Sequence, residues 1–144
     1  MRRATAADAP LLAWLCEAHA ANEKRPFNPQ GHAERPAEAL SADRLHPWLA
    51  LANGEVVGYA SVALDYSTLT AQPFLHLDCL YLDEHARGMG LGAVLFSVGK
   101  GHGQEQGCAK LQWQTPEWNA PGIRFYNRTG ASHLEKQRCT LALS

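Results

Sequence analysis

Long apolar runs, an excess of charge of one sign and clustered cysteines are all missing from this sequence of 144 residues. No apolar segment approaches the ~20 residues that a membrane-spanning helix needs, and the first residues lack the hydrophobic stretch of a signal peptide. The formal net charge is −1, so no basic field favours nucleic acid or an anionic membrane as a partner. We therefore expect a cytoplasmic protein that binds neither of them.

Cysteine and histidine are too dispersed to predict a disulfide framework or a metal site. The four cysteines fall in different predicted elements, as reduced thiols in the cytoplasm do. His76 and Cys79 have the spacing of metal ligands, but no second pair completes a zinc site, so we expect no metal. Hydrophobic residues at 46% and charged residues at 19% indicate a globular fold, and the length predicts one domain over residues 1–144.

The hydrophobic pattern predicts strands and helices that alternate along the chain. The predicted strands lie at residues 2–4, 48–52, 55–64, 74–82, 110–115 and 138–143, with Asn53-Gly54 as a hairpin turn. The predicted helices lie at residues 5–21, 37–43 and 90–106, with a fourth from Asn119 that Gly130 ends. We expect the third helix to end early, at its several glycines, and residues 22–36 to form a long loop. This order predicts an α/β (α+β) fold, in which about four helices cover a mixed sheet.

A glycine-rich segment, Arg87-Gly88-Met89-Gly90-Leu91-Gly92, separates the strand at 74–82 from the helix that follows. Glycines at such a junction allow backbone N–H groups to approach a ligand closely, at the helix end where the dipole favours an anion. The segment therefore predicts a binding site for a phosphorylated ligand.

Several interpretations of this segment compete. A nucleoside-triphosphate loop needs Gly-Lys-Ser/Thr, which Gly92-Ala93-Val94 does not provide. Gly88, Gly90 and Ala93 fit a dinucleotide fingerprint, but the next strand, Leu111–Thr115, has no carboxylate for the ribose. The glycines could also serve only to pack the strand tightly against the helix.

The remaining interpretation includes the arginine, so that Arg87 to Gly92 reads R-x-x-G-x-G. This pattern resembles the acetyl-CoA diphosphate loop of the GNAT acetyltransferase superfamily. Residues 117–131 are similar to its signature W-N-x-P-x-I-x-F-Y-x-x-x-G-A, and most similar to its diamine and thialysine acetyltransferase branch. The resemblance covers roughly residues 74–131. It implies acetyl-CoA as co-substrate, a homodimer, and a mostly antiparallel sheet of six to seven strands that is splayed into a V.

The resemblance also implies which residues bind the co-substrate. Backbone amides of the loop bind the diphosphate, and Arg87 adds charge-assisted contacts. The strand before the loop is bulged and pairs with the pantetheine arm, and Asn119 contacts the same arm while capping its helix. The implied binding residues are Leu80, Tyr81, Leu82, Arg87, Gly88, Met89, Gly90, Leu91, Gly92, Ala93 and Asn119.

Two residues are candidates for the chemistry. The resemblance implies that Tyr126 is the general acid that protonates the departing thiolate. Asp78 stands where the polyamine branch has a glutamate, and it would hold the amine and accept its proton, directly or through water. Strand alternation predicts that His76, Asp78 and Leu80 share one face. With Trp113, His76 and Asp78 are the candidate acceptor-binding residues.

These expectations together predict an N-acetyltransferase in which a primary amine attacks acetyl-CoA directly, in a ternary complex. The acceptor is expected to be a small amine, such as a polyamine, an amino-acid derivative or an aminoglycoside, which enters beside loop 22–36. The mixed charge of this loop disfavours a polyamine. A peptide or protein amine is the alternative acceptor, and an acyl-CoA-binding regulator without turnover is the alternative function. Transfer through Cys79 is disfavoured, because no base is suitably spaced.

Overall fold

A computed structural model describes all of residues 1–144, which form two compact units, residues 1–113 and 114–144. The first unit has one sheet, in the order β1-β2-β3-β4-β5. Its strands are β1 (Arg2–Arg3), β2 (His46–Ala52), β3 (Glu55–Ser67), β4 (Gln72–Leu82) and β5 (Leu111–Gln112). Its helices are α1 (Ala9–Asn22), α2 (Glu34–Ser41) and α3 (Leu91–Glu105), and the second unit contains α4 (Ala120–Asn127). None of these helices combines the length and apolar composition needed to cross a membrane.

The sheet is mixed and mostly antiparallel, as predicted. Three of its pairs are antiparallel, and only the β4–β5 pair is parallel. The hairpin between β2 and β3 turns at Asn53 and Gly54, with φ of 52° and 80°. Both residues therefore adopt the left-handed conformation that asparagine and glycine favour in such turns, which confirms the hairpin.

Two hydrophobic clusters pack on opposite faces of the sheet. On the α3 face, Leu95 packs with sheet residues such as Val62 and Leu75. On the α1 face, Leu15 packs with sheet residues such as Leu49 and Tyr59. Each fully buried leucine contributes about 1.5–3 kcal/mol relative to an exposed one. Burial on both faces thus fixes α1 and α3 against the two sides of the sheet.

The predicted end of α3 at its glycines is wrong, because the helix continues to Glu105. Gly99 and Gly103 are buried, and Cβ atoms there would lie 3.4 Å from Val62 and 3.2 Å from Leu75. The missing side chains therefore allow α3 to approach the sheet closely, and this packing outweighs the poor helix propensity of glycine.

The predicted sheet is also too large. Residues 138–143 alternate polar and apolar side chains, but they form no strand, and Leu141 and Leu143 are 83% and 92% exposed. Alternation stabilises a strand only where a neighbouring strand and a core face are available, and residues 131–144 have no strand partner. The strand predicted at 110–115 is reduced to β5. The sheet therefore has five strands instead of six to seven.

Gly58 lies where β3 closely approaches β4, since a Cβ there would be 2.4 Å from the Tyr81 carbonyl oxygen. We expect Gly58→Ala to lower the free energy of unfolding by about 1–3 kcal/mol, the usual cost of overpacking. Urea or thermal unfolding measures this loss. Gly101→Ala is the control, because its Cβ has nothing within 4 Å, and alanine favours the helix. Equal stability of the two variants would contradict the close approach.

Candidate active site

The glycine loop presents backbone donors without a side-chain cap. Gly88 and Gly90 both have φ of 81°, and Gly90 is the N-cap of α3. Val94 donates its N–H to the Gly90 carbonyl at 3.2 Å. The N–H groups of residues 91–93 precede this bond and have no acceptor within the helix. Cβ atoms at the two glycines would have nothing within 4 Å, so this donor-rich end of the helix opens onto free space.

The strand that leads into the loop has a free edge. β5 pairs only with Leu75 and His76 of β4, so the second half of β4 has β3 on one side and no strand on the other. The free edge carries alternating N–H and C=O groups, to which an extended ligand can bond as an added strand does. This edge runs directly toward the glycine loop.

A bulge lies where β4 loses its outer neighbour. Ser61 pairs with Cys79 and Val62 with Leu77, which leaves Asp78 as the extra residue. The bulge reverses the alternation, so that Cys79 packs on the α1 face while Leu80 packs on the α3 face. The prediction that Leu80 shares a face with His76 and Asp78 is therefore wrong, because period-two alternation does not continue through a bulge.

Arg87 is engaged on the side of the loop that faces β4. Its Nε donates to the Leu82 carbonyl at 3.0 Å, and its guanidinium donates to Asn22 Oδ1 at 3.3 Å. The same group lies over the Tyr81 ring, 5.8 Å from the ring centroid. Arg87 therefore joins the ends of β4 and α1, and its contact with a diphosphate stays a prediction.

A cavity of about 430 Å³ lies on the α1 face of the sheet. It is enclosed by α1, the irregular segment after it, β3 and β4. Its polar lining includes Cys16, His19, Glu23, Arg25, Tyr59, Ser61, Asp78 and Cys79. The predicted loop at 22–36 thus forms part of its wall. β4 contributes both the free edge and Asp78 in the cavity wall. The same strand therefore connects the free edge with the cavity.

Asp78 is a half-exposed carboxylate beside two other polar groups. Its Oδ1 lies 3.9 Å from His76 Nε2, and its Oδ2 accepts a hydrogen bond from Cys79 Sγ at 3.5 Å. Burial, followed by the charge of Asp78, raises the pKa of the Cys79 thiol to about 12. A thiolate nucleophile at Cys79 is therefore disfavoured at neutral pH.

A series of hydrogen-bonded side chains in the same cavity was not identified as a site from the sequence. Cys16 donates to the Tyr59 hydroxyl at 3.4 Å, and that hydroxyl lies 2.9 Å from His19 Nδ1. His19 Nε2 lies 3.2 Å from Glu23 Oε1. The spacing of Cys16, His19 and Glu23 along one helix face was the signal that could have revealed the chain.

Burial controls the ionisation of His19 and Tyr59. It lowers the pKa of His19 below the ordinary 6.5, although Glu23 opposes the shift in part. It also raises the pKa of Tyr59 far above the ordinary 10. At neutral pH, both groups are therefore uncharged.

Trp113 does not line this cavity. Its ring packs edge-on against Phe96, with centroids 5.3 Å apart, in the cluster on the α3 face. His76 also lies outside the cavity lining, although it is close to Asp78. The cavity therefore unites only Asp78 among the three predicted acceptor-binding residues.

In the second unit, Asn119 caps α4 as predicted. Its Oδ1 accepts a hydrogen bond from the Gly122 N–H at 3.3 Å, and its Nδ2 donates to Thr115 Oγ1 at 2.9 Å. Tyr126 lies in the last turn of α4, with its ring 5.3 Å from that of Phe125. Gly130 has φ of 84°, the left-handed conformation expected just beyond the end of a helix.

The bulged strand β4, with its open edge, leads into a helix whose glycine N-terminus has no side-chain cap, and this geometry is suited to a phosphorylated ligand with an extended arm. The model of the acetyltransferase (GNAT) family matches residues 10–131. The chain belongs to this family, and the resemblance stated from the sequence is confirmed.

Relatives with assigned names agree with this membership. The chain is 27% identical over 104 residues to the thialysine N-epsilon-acetyltransferase of Caenorhabditis elegans, covering 72% of this chain and 64% of that protein. It is 28% identical over 135 residues to the uncharacterized N-acetyltransferase YhfO of Bacillus subtilis, covering 90% and 87%. Among solved structures, the aminoglycoside N-acetyltransferase AAC(6')-Iy in complex with CoA has a TM-score of 0.83 at 18% identity, covering 99% and 93%. This last similarity shows the fold.

Proposed function

We propose that residues 1–144 act as one acetyltransferase domain that transfers the acetyl group of acetyl-CoA to the primary amine of a small molecule. One observation carries the proposal: β4 presents an open edge that leads to the Gly90 loop, and the same strand places Asp78 in the wall of a cavity. A ligand on the edge and an amine in the cavity would therefore meet along one strand. Family membership supports the same reaction.

The co-substrate fits the residues that are present. Acetyl-CoA, when bound, supplies an acetyl thioester that is activated toward amines. The N–H groups of residues 91–93 would hold its diphosphate at the positive end of α3. The edge of β4 from Leu80 to Leu82 would bond its extended arm, and Asn119 would contact the same arm.

The cavity favours a small acceptor. A volume of about 430 Å³ falls within the usual ~300–1,000 Å³ of small-molecule sites. Two carboxylates, Asp78 and Glu23, face it together with Arg25, which lies 3.8 Å from Glu23. Asp78 would hold the ammonium group of the acceptor. The relative of Caenorhabditis elegans is, by its name, an acetyltransferase of thialysine, which is a small amine.

Direct attack by the amine is the better supported route. The raised pKa of Cys79 disfavours a covalent acyl-enzyme. In the direct route, the amine forms its bond to the acetyl carbon, and the departing sulfur takes a proton. Tyr126 would donate that proton, as the sequence resemblance implies.

Release of free thiol tests the proposal. The protein is mixed with acetyl-CoA and, in separate wells, thialysine, L-ornithine, spermidine, kanamycin or a short peptide with a free N-terminus. We expect thiol release with at least one of the small amines. Release with the peptide alone would favour a peptide acceptor. Thermal stabilisation by acetyl-CoA without release from any amine would favour a regulator.

The sequence resemblance also supports a homodimer in the cytoplasm. Light scattering of the purified chain measures the assembly, and a monomeric mass would contradict it.

A further inference from the structure

We propose that His19 receives the proton of the acceptor ammonium through the Tyr59 hydroxyl, and that Glu23 stabilises the charged imidazole. The inference rests on the proposed function, because it assumes that the acceptor amine occupies the cavity. All three side chains line that cavity, and they belong to α1, to the residue after it and to β3. They form one unbroken chain of hydrogen bonds.

The partners of His19 fix the direction of this chain. A carboxylate only accepts hydrogen bonds, so the contact at 3.2 Å requires that His19 Nε2 carry the hydrogen toward Glu23. In neutral imidazole the other nitrogen is then an acceptor. The Tyr59 hydroxyl must therefore donate to His19 Nδ1 across 2.9 Å. Its oxygen accepts from Cys16. The Cys79 thiol also faces this hydroxyl, but its hydrogen is donated to Asp78 Oδ2, so the second lone pair of the Tyr59 oxygen can accept from a donor in the cavity.

A proton can pass along this chain without creating a charged tyrosine. An N–H bond of the ammonium breaks, and its proton binds the Tyr59 oxygen while the Tyr59 hydrogen moves to His19 Nδ1. The electron pair stays on the amine nitrogen, which becomes the nucleophile. His19 becomes an imidazolium that donates to the Glu23 carboxylate, and it later returns a proton to solvent. Tyr59 is neutral before and after the step, as its raised pKa demands.

The surroundings of His19 agree with a group that is neutral at rest and tolerates a transient charge. On α1 it faces Cys16, with Glu23 just beyond the helix end, and Arg25 lies within electrostatic reach. From the sheet it faces Tyr59, Asp78 and Tyr81, whose ring stacks on it at 5.2 Å. The two carboxylates favour the imidazolium, whereas burial and Arg25 oppose it. The lowered pKa keeps His19 able to accept a proton even below pH 6.5.

The pH profile of kcat/KM for the acceptor tests the inference, with thialysine and kanamycin as the probes. Without this proton relay, turnover depends on the neutral fraction of the amine, which rises about tenfold per pH unit below the pKa of the acceptor amine, roughly 10.4 for a lysine side chain. We expect a flat wild-type profile from about pH 7 to 9 and a loss of about 10²-fold in His19→Gln at pH 7, the lower end of general-base effects. That loss should shrink about tenfold for each unit of added pH.

Two further variants separate proton transfer from a structural role. Tyr59→Phe interrupts the chain and should have the same rising profile as His19→Gln. In Glu23→Gln, kcat/KM should rise less steeply with pH. Glu17 is an exposed residue of α1 and His133 is an exposed histidine, so the controls Glu17→Gln and His133→Gln should have the wild-type profile. A loss in His19→Gln that is the same at every pH would overturn the inference.

Nitrogen-detected NMR of histidine-labelled protein gives a readout that needs no turnover. We expect a neutral His19 at pH 7 with its hydrogen on Nε2, and a shift of this signal in Tyr59→Phe. A hydrogen on Nδ1, or a charged ring at pH 7, would overturn the inference. If the wild type releases no thiol with any amine, the proposed function fails and the inference falls with it. If the wild type releases thiol but the ratio of its kcat/KM to that of His19→Gln is the same at every pH, only the inference fails.

Discussion

Tyr126→Phe should lower kcat by about 10²-fold or more, the usual range for loss of a general acid, and should leave the affinity for acetyl-CoA nearly unchanged. The departing thiolate needs a proton, and phenylalanine keeps the ring of Tyr126 while removing only its hydroxyl. The packing of this position against Phe125 is therefore preserved.

Steady-state rates of thiol release and calorimetry with acetyl-CoA measure the two quantities separately. Tyr66→Phe is the matched control, because Tyr66 is 60% exposed near the end of β3, and its rate should equal that of the wild type. An unchanged kcat in Tyr126→Phe would refute the assignment of the general acid.

Gly90→Ala should weaken acetyl-CoA binding about tenfold or more, because one tenfold step corresponds to about 1.4 kcal/mol. The φ of 81° at Gly90 is held at the start of α3. An alanine in the left-handed region costs roughly 1–2 kcal/mol and therefore tilts the loop toward another conformation. The N–H groups of residues 91–93 would then no longer converge on one anion.

Calorimetric titration with acetyl-CoA and with desulfo-CoA measures the loss in Gly90→Ala. Gly101→Ala makes the same substitution on the same helix, where φ is not positive and the Cβ is unobstructed. This control should bind acetyl-CoA as the wild type does. Equal affinity in the two variants would remove the glycine loop from the binding site.

The elements that depend only on neighbouring residues in the sequence could be predicted. The Asn53-Gly54 hairpin, the helix after the glycine loop and the Asn119 cap all depend on residues within a few positions of one another. Their conformational preferences do not need a tertiary partner.

The parts that depend on distant partners could not be predicted. The bulge at Asp78 arises from the pairing of β3 with β4, and no residue type at Asp78 indicates it. The chain from Tyr59 to Glu23 joins residues that are 40 and 4 positions from His19. The alternation at 138–143 predicts a strand only if a sheet edge receives it, which the structure does not provide.

The free edge of β4 affects how readily copies of the protein aggregate in a crowded solution. An exposed edge strand favours aggregation, because an extended segment of another molecule can pair with its free N–H and C=O groups. Here the open edge is only a few residues long, and the bulge at Asp78 interrupts it. The open edge that we propose for the co-substrate arm is thus too short and too irregular to template a continuous sheet.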